Sequence, residues 1–393
     1  MKSGSFGRGI AISAIALAAW AAPAPSVLGQ SPPFQLTPVR NGITRQQLED
    51  WVALARAHQP GLADDAAVRA VGFPPWELGG IVFAVRNGDL PVASTDVPGV
   101  LARGAVLHTD IANAQMRGAQ TADRANAGGL SYLHFGLAAE LVGALNSRVP
   151  GHPLIRAWCV AVASVLTSQL EVAIAPAFID SALHMFPGDP QLLLLAGAAR
   201  ELRASARVQD ATDLDRTTRS ALGSAAQNLS RAEGAYRQAL EVEPMQVEAR
   251  IRLGRVLGLT GRHAEALAEL GAANRDVTAR LASGGTVERP VLYFLALFLG
   301  EENEATDHLD AARRAYARGL ELYPGARSAW LDLSRLEWRN GSRAAAAAAI
   351  ARMADPATGH ESDDPWKDYF CAGPARHVDE TLQALAAASG SRQ

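Results

Sequence analysis

The stretch VEARIRLGRVLGLTGRHAEALAELGAA, residues 247–273, decides the fold. Leu253-Gly254, Ala266, Leu270 and Ala273 fall at helical spacing on either side of a break at Gly261. A glycine there supplies the left-handed residue that ends one helix before the next begins. The same pattern returns 80 residues later as Trp330, Leu333, Gly341, Ala346 and Ile350. A second-helix pattern also recurs: Ala175, Ile179, Ala182 and Pro187 are matched by Ala232, Tyr236, Ala239 and Pro244, then by Ala312, Tyr316, Gly319 and Pro324. The prolines stand 57 and 80 residues apart, one 34-residue repeat plus 23 and two repeats plus 12. Residues 205–228, polar and rich in Thr, Asp and Arg, and 281–292, with Ser283-Gly284-Gly285, hold the surplus as loops. One helical hairpin cannot bury its apolar face alone, so several must stack into a solenoid. No segment sustains period-two alternation, so the class is all-α.

Working outward, Thr44-Arg-Gln-Gln47 has capping-box spacing ahead of Leu48, Trp51, Val52 and Leu54. Further helices are predicted at 63–71, 75–86 and 98–116, giving an N-terminal helical region over 43–117 and a linker at 118–129. The solenoid spans 130–360, and 361–393 forms a C-terminal cap. There, a helix through Val378, Leu382 and Leu385 is expected to cover the last repeat. The aromatic cluster Trp366, Tyr369 and Phe370 reads either as a ligand-stacking site or as apolar cover, with cover favoured.

The 393 residues carry a net charge of −3, which argues against nucleic acid as the main ligand. Lys2 and Arg8 precede an apolar run, Ile10 to Ala22, too short to span a bilayer. With Pro23, Pro25 and Val27-Leu28-Gly29 before Gln30, residues 1–29 read as a cleaved signal peptide and 30–42 as a disordered leader. The mature chain is expected to be exported, to the periplasm or secreted, with no integral membrane segment. Cys159 and Cys371 could bridge, but Cys159 falls in the apolar helix Trp158-Cys-Val-Ala-Val-Ala and is expected free and buried.

These residues resemble the tetratricopeptide repeat family, well at 213–246 (second helix), 247–280 and 327–360 and partially at 156–189 and 293–326. Arg250 stands where the family has Trp, and Thr278 where it has Pro. The whole is similar to exported bacterial repeat proteins and, more loosely, to periplasmic scaffolds of polysaccharide secretion and outer-membrane assembly. The resemblance implies a right-handed superhelix whose concave face holds a peptide or partner helix. Its groove positions 2, 5, 9, 12 and 13 fall on Glu248, Ile251, Arg255, Gly258 and Leu259, and on Ser328, Leu331, Arg335, Trp338 and Arg339. Arg335 and Arg339 lie four apart on one helix face, so with Trp338 they either grip a partner carboxylate or pair with the chain's own acids. The lysine and asparagine of a chaperone-tail carboxylate clamp are absent.

For chemistry, His108-Thr-Asp110 is the best His–carboxylate pair, with His58, Asp64 and Asp65 upstream and His134 downstream. No metal-binding helix motif, nucleophile elbow or phosphate loop is present, so no catalytic residue, metal or cofactor is assigned. The sequence therefore reads as a non-enzymatic exported scaffold that binds another protein or peptide of the cell envelope through Glu248, Arg255, Leu331, Arg335, Trp338 and Arg339. The alternative is a catalytic or metal-binding module built on His58, His108 and Asp110. The oligomeric state stays open.

Overall fold

The computed structural model describes residues 97–118, 124–211, 222–355 and 364–389. The expected signal peptide, leader, linker start and helices before residue 97 lie outside the described residues, as do His58, Asp64 and Asp65. All regular structure among the described residues is helical, and no described helix is long and apolar enough to cross a membrane. The chain divides into two compact units.

The first unit holds α1 (Val97–Gly118), α2 (Arg124–Arg148), α3 (Pro153–Ser168), α4 (Ile174–Met185) and a last helix, α13 (Val378–Ala388). α2 begins at Arg124, inside the stretch read as a linker. His152 caps α3, accepting from the Leu154 N–H, and Pro153 follows where a helix lacks a donor to satisfy. α3 is buried around most of its circumference, from Leu154 to Thr167. Such a helix needs neighbours on every side. α13 supplies one, packing on α3 and α1 with Leu382 and Leu385 buried. That corrects the expectation that α13 covers the last repeat: the larger apolar demand lies on α3.

The second unit, Gly188–Arg376, is a solenoid of four hairpins. They are α5 (Pro190–Ala204) with α6 (Ala225–Val242), α7 (Val247–Leu259) with α8 (His263–Ala282), α9 (Arg289–Ala305) with α10 (Leu309–Leu322), and α11 (Arg327–Arg339) with α12 (Arg343–Ala354). First helices touch first helices, α5 to α7 to α9 to α11, and form an inner layer. Each second helix packs on its own partner and, in the first three hairpins, on the next first helix.

Local chemistry sets the ends. The Asp189 carboxylate accepts from the Gln191 and Leu192 N–H groups at 3.0 Å, and Ser224 with Gln227 closes a capping box on α6. Gly261 and Gly341 adopt φ of 77° and 79° at the hairpin turns. Asp307, φ 64°, takes the same role in the third hairpin, tolerated because a short polar side chain visits this region. Pro244 and Pro324 follow the ends of α6 and α10 by two residues. No proline stops α8, and the insertion expected as a loop at 281–292 is instead partly helix: α8 runs to Ala282 and α9 starts at Arg289. In the earlier insertion, Ala206–Gln209 forms one helical turn.

Glycines govern how closely the helices meet. A Cβ on Gly197 would lie 2.2 Å from the Tyr236 ring, and one on Gly300 would lie 2.3 Å from the Tyr316 ring. Gly197→Ala or Gly300→Ala should therefore cost about 1–3 kcal/mol in urea unfolding. Gly234→Ala in α6, with open space around it, should gain about 0.5–1 kcal/mol. Equal effects at the three positions would show that the rings do not need the missing methyl.

Candidate functional site: the inner face of the repeats

The inner face is organised by buried carboxylates. Glu201 lies one helical turn after Gly197 on α5, where the Tyr236 ring is seated, and accepts the Tyr236 hydroxyl. Arg252 of the next hairpin reaches the same carboxylate at 3.4 Å and Arg255 approaches to 3.8 Å. The third hairpin repeats the arrangement. Glu304 lies one turn after Gly300, accepts the Tyr316 hydroxyl at 3.0 Å, and pairs with Arg335 of the fourth hairpin at 3.0 Å. The glycine admits the ring, the ring delivers its hydroxyl to the carboxylate, and the following arginine neutralises it.

The second hairpin shows the converse. Leu270 replaces the tyrosine against Gly254, and Gly258 stands where the glutamate would be. Position 9 of the next repeat is Glu301 and not arginine. The room left by Gly258 is filled by Glu302, whose carboxylate bonds His263 Nδ1 at 2.8 Å; a Cβ on Gly258 would lie 1.8 Å from it. Burial lifts Glu301 to about 7 against the pull of Arg255, and Asp332 to about 6 against Arg335.

Residues 364–376 lie along this inner face. Asp364 accepts the Ser328 N–H at 2.9 Å and its hydroxyl at 2.6 Å, at the start of α11. Trp366 and Tyr369 stack on each other and meet Phe294 and Phe298 of α9 edge-on. The Arg255 guanidinium lies 4.2 Å, 4.6 Å and 4.7 Å from the ring centres of Trp366, Tyr369 and Phe298. The Tyr369 hydroxyl donates to Glu201 at 2.9 Å, and its carbonyl accepts from Arg252. Burial and then Glu201 hold the Tyr369 hydroxyl well above its ordinary pKa, so it stays a donor. Gly373 N–H donates to Glu248 at 3.1 Å, and Arg376 reaches Glu248 at 2.5 Å and Glu288 at 2.9 Å. Burial raises the Glu248 pKa, but Arg376 and Arg252 outweigh it and hold the group at about 2.

The six residues singled out from sequence thus separate into three pairs. Glu248 and Arg255 are occupied by residues 364–376. Arg335 and Arg339 face Glu304, and Arg339 also pairs with Asp307 at 3.1 Å, so the chain supplies the carboxylate they were expected to grip. Leu331 and Trp338 remain exposed, at 51% and 63%, with Arg343 over the Trp338 ring. The aromatic cluster of the C-terminal segment does stack, on the chain's own arginine. Sequence reasoning missed Glu201 and Glu304, although Gly-x-x-x-Glu at 197–201 and at 300–304 marks both.

The His108–Asp110 pair is not assembled. Two residues on a helix lie roughly 200° apart; His108 is buried and Asp110 is exposed. His108 instead meets His134 of α2, Nδ1 to Nδ1 at 2.9 Å, beside a Trp158 indole that donates to Thr109 at 3.0 Å. Burial and the neighbouring His108 hold His134 well below its usual pKa. Among the described residues no three His, Cys, Asp or Glu side chains converge as a metal site, and Cys159, which is buried, and Cys371 do not form a disulfide.

A family profile described as "Tetratricopeptide repeat" matches residues 224–276 and 300–361. These hairpins are tetratricopeptide repeats. No curated protein matches the chain. Among solved structures, the repeats are similar to "MamA 41-end from Desulfovibrio magneticus RS-1" (18% identity, 51% of this chain and 93% of that one, TM-score 0.36). They are also similar to PilW, a "widely conserved type IV pilus biogenesis factor" (22%, 59% and 93%, 0.40). A third is YrrB, "a TPR protein with an unusual peptide-binding site" (17%, 61% and 97%, 0.37). These likenesses are of fold. Tetratricopeptide repeats imply a scaffold for protein–protein interaction.

Two measurements check the electrostatics. Arg252→Met removes the buried cation that Glu201 and Glu248 share and should cost about 3–5 kcal/mol. Arg335→Met, which removes a half-exposed guanidinium and leaves Tyr316 and Arg339 on the buried Glu304, should cost less, about 1–2 kcal/mol; similar losses would discount the buried clasp. Because His134 titrates below its unfolded value, the unfolded chain takes up the proton first as the pH falls. Its contribution is present above about pH 6.5 and is lost below it. The difference in urea stability between wild type and His134→Gln should change across pH 8 to 5; a constant difference would refute the assignment.

Proposed function

We propose that this chain is a non-enzymatic, exported scaffold of the cell envelope that captures a protein partner through the inner edge of its fourth hairpin. The observation that carries this reading is a contrast between equivalent positions. Ile251 is buried and Arg255 is covered by Trp366, whereas their counterparts in the fourth hairpin, Leu331 and Arg335, are more than half exposed. Trp338 adds a large exposed indole on the same helix. Exposed aromatic and arginine side chains together are the composition of interaction hot spots, because they bury much area and keep a polar handle.

The expected mode follows from the charges. Glu304 and Asp307 already hold Arg335 and Arg339, so a partner carboxylate has to compete for the guanidinium groups. Apolar contact with Leu331 and Trp338 therefore supplies most of the affinity, and the arginines orient the partner. Export rests on the N-terminal reading of residues 1–29.

The test is a crosslinked pull-down from the native envelope, with the chain from Gln30 onward as bait beside a Leu331→Ser, Trp338→Ala variant. Both side chains are exposed, so helical content and melting temperature should not change. A protein enriched by the wild type should fall at least about tenfold with the variant, the loss of one hot-spot residue. Equal recovery on both baits would refute the fourth-hairpin assignment.

A further inference from the structure

Residues 364–376 make the contacts of a bound peptide. They pass from α11 to α9, α7 and α5, against the order of the repeats, and include two one-turn 3₁₀ helices. Their anchors are separate. Asp364 is held by Ser328, the Trp366–Tyr369 pair lies under Arg255, Tyr369 reaches Glu201, and Arg376 enters the acidic pocket of Glu248 and Glu288. Close approach is built in, since Gly373 adopts φ 46° and a Cβ there would lie 2.7 Å from Leu194.

The repeats are closed on themselves where this segment adds nothing. Glu304 has Tyr316 and Arg335 without any donor from 364–376. At the other clasp, Arg255 presents its guanidinium to aromatic faces while its Nε and Nη1 lack a hydrogen-bond acceptor. A buried cation with unused donors gains from a ligand that brings stacked rings and more so from one that adds an acceptor.

We infer that the inner face of the first three hairpins is a recognition site for a short segment bearing two aromatic residues three apart and a following arginine, occupied in cis by residues 364–376 and open to a partner segment of the same chemistry. This rests on the reading of the chain as a protein-binding scaffold, but on different residues from Leu331 and Trp338. The chain continues on both sides of the resident segment, which gives it an effective concentration of ~1 mM for its site. An incoming segment binds weakly until the resident is weakened or outcompeted.

A fluorescent peptide with the sequence of residues 364–376, carrying serine in place of Cys371, is titrated by anisotropy into three chains. They are wild type, a Trp366→Ala, Tyr369→Ala chain, and that chain with Arg255→Ala added. The weakened chain should bind at least about tenfold more tightly than wild type, the gain expected when an intramolecular competitor is lost. Adding Arg255→Ala should abolish the gain. Equal affinity for wild type and weakened chain, both folded by circular dichroism, would overturn the proposal.

Should the weakened chain unfold, hydrogen exchange on the wild type decides. Amides of Tyr369, Cys371 and Gly373 exchanging at least about a hundredfold faster than those of α7 and α9 support a displaceable segment. Exchange in step with those helices makes it an integral part of the core and overturns the proposal. The Leu331→Ser, Trp338→Ala chain should show the wild-type peptide response, which separates failure here from failure of the fourth-hairpin site.

Discussion

The structure depends on a carboxylate kept inside the solenoid. Glu201 and Glu304 are charged groups on the inner layer, and burying such a charge is tolerable only if hydrogen-bond donors and a counter-charge converge on it. Each requirement fixes a neighbour. The tyrosine hydroxyl fixes the second helix of the same hairpin, and the arginine fixes the first helix of the next. Apolar packing alone would let adjacent hairpins slide by small amounts with little loss. A buried charge does not permit this, because a shifted partner leaves it unpaired.

That constraint accounts for residues that look unrelated along the chain. Gly197 and Gly300 make room for the tyrosines, and Leu270 with Gly258 removes both ring and charge in the hairpin between them. The Glu302 carboxylate fills that place from the next hairpin and meets His263 in place of an arginine, and position 9 there is the acidic Glu301. Its pKa near neutrality is the residue of burial without a dedicated partner.

The repeat frame was legible because it is local. Gly261, Gly341, Pro244 and Pro324 act on their own helix ends, and Ala232, Tyr236 and Ala239 share one face by helical spacing alone. The inner face was legible as a face, and its arginines as arginines. What meets them was not. Arg335 finds Glu304 31 residues away and Tyr369 finds Glu201 168 residues away, separations over which no spacing rule operates. The final helix was correctly amphipathic and wrongly placed for the same reason: Leu382 and Leu385 declare an apolar face without naming the surface that receives it. At the fourth-hairpin edge, Leu331 and Trp338 stay exposed among the described residues.

The position of α13 has a consequence for synthesis. The first unit contains helices from before residue 188 and from after residue 376. While the repeats between them are being made, α3 has no Leu382 and Leu385 to cover it, however early its own hairpin forms. A ribosome adds on the order of 5–20 residues per second, so this apolar flank stays open for ~10–40 s.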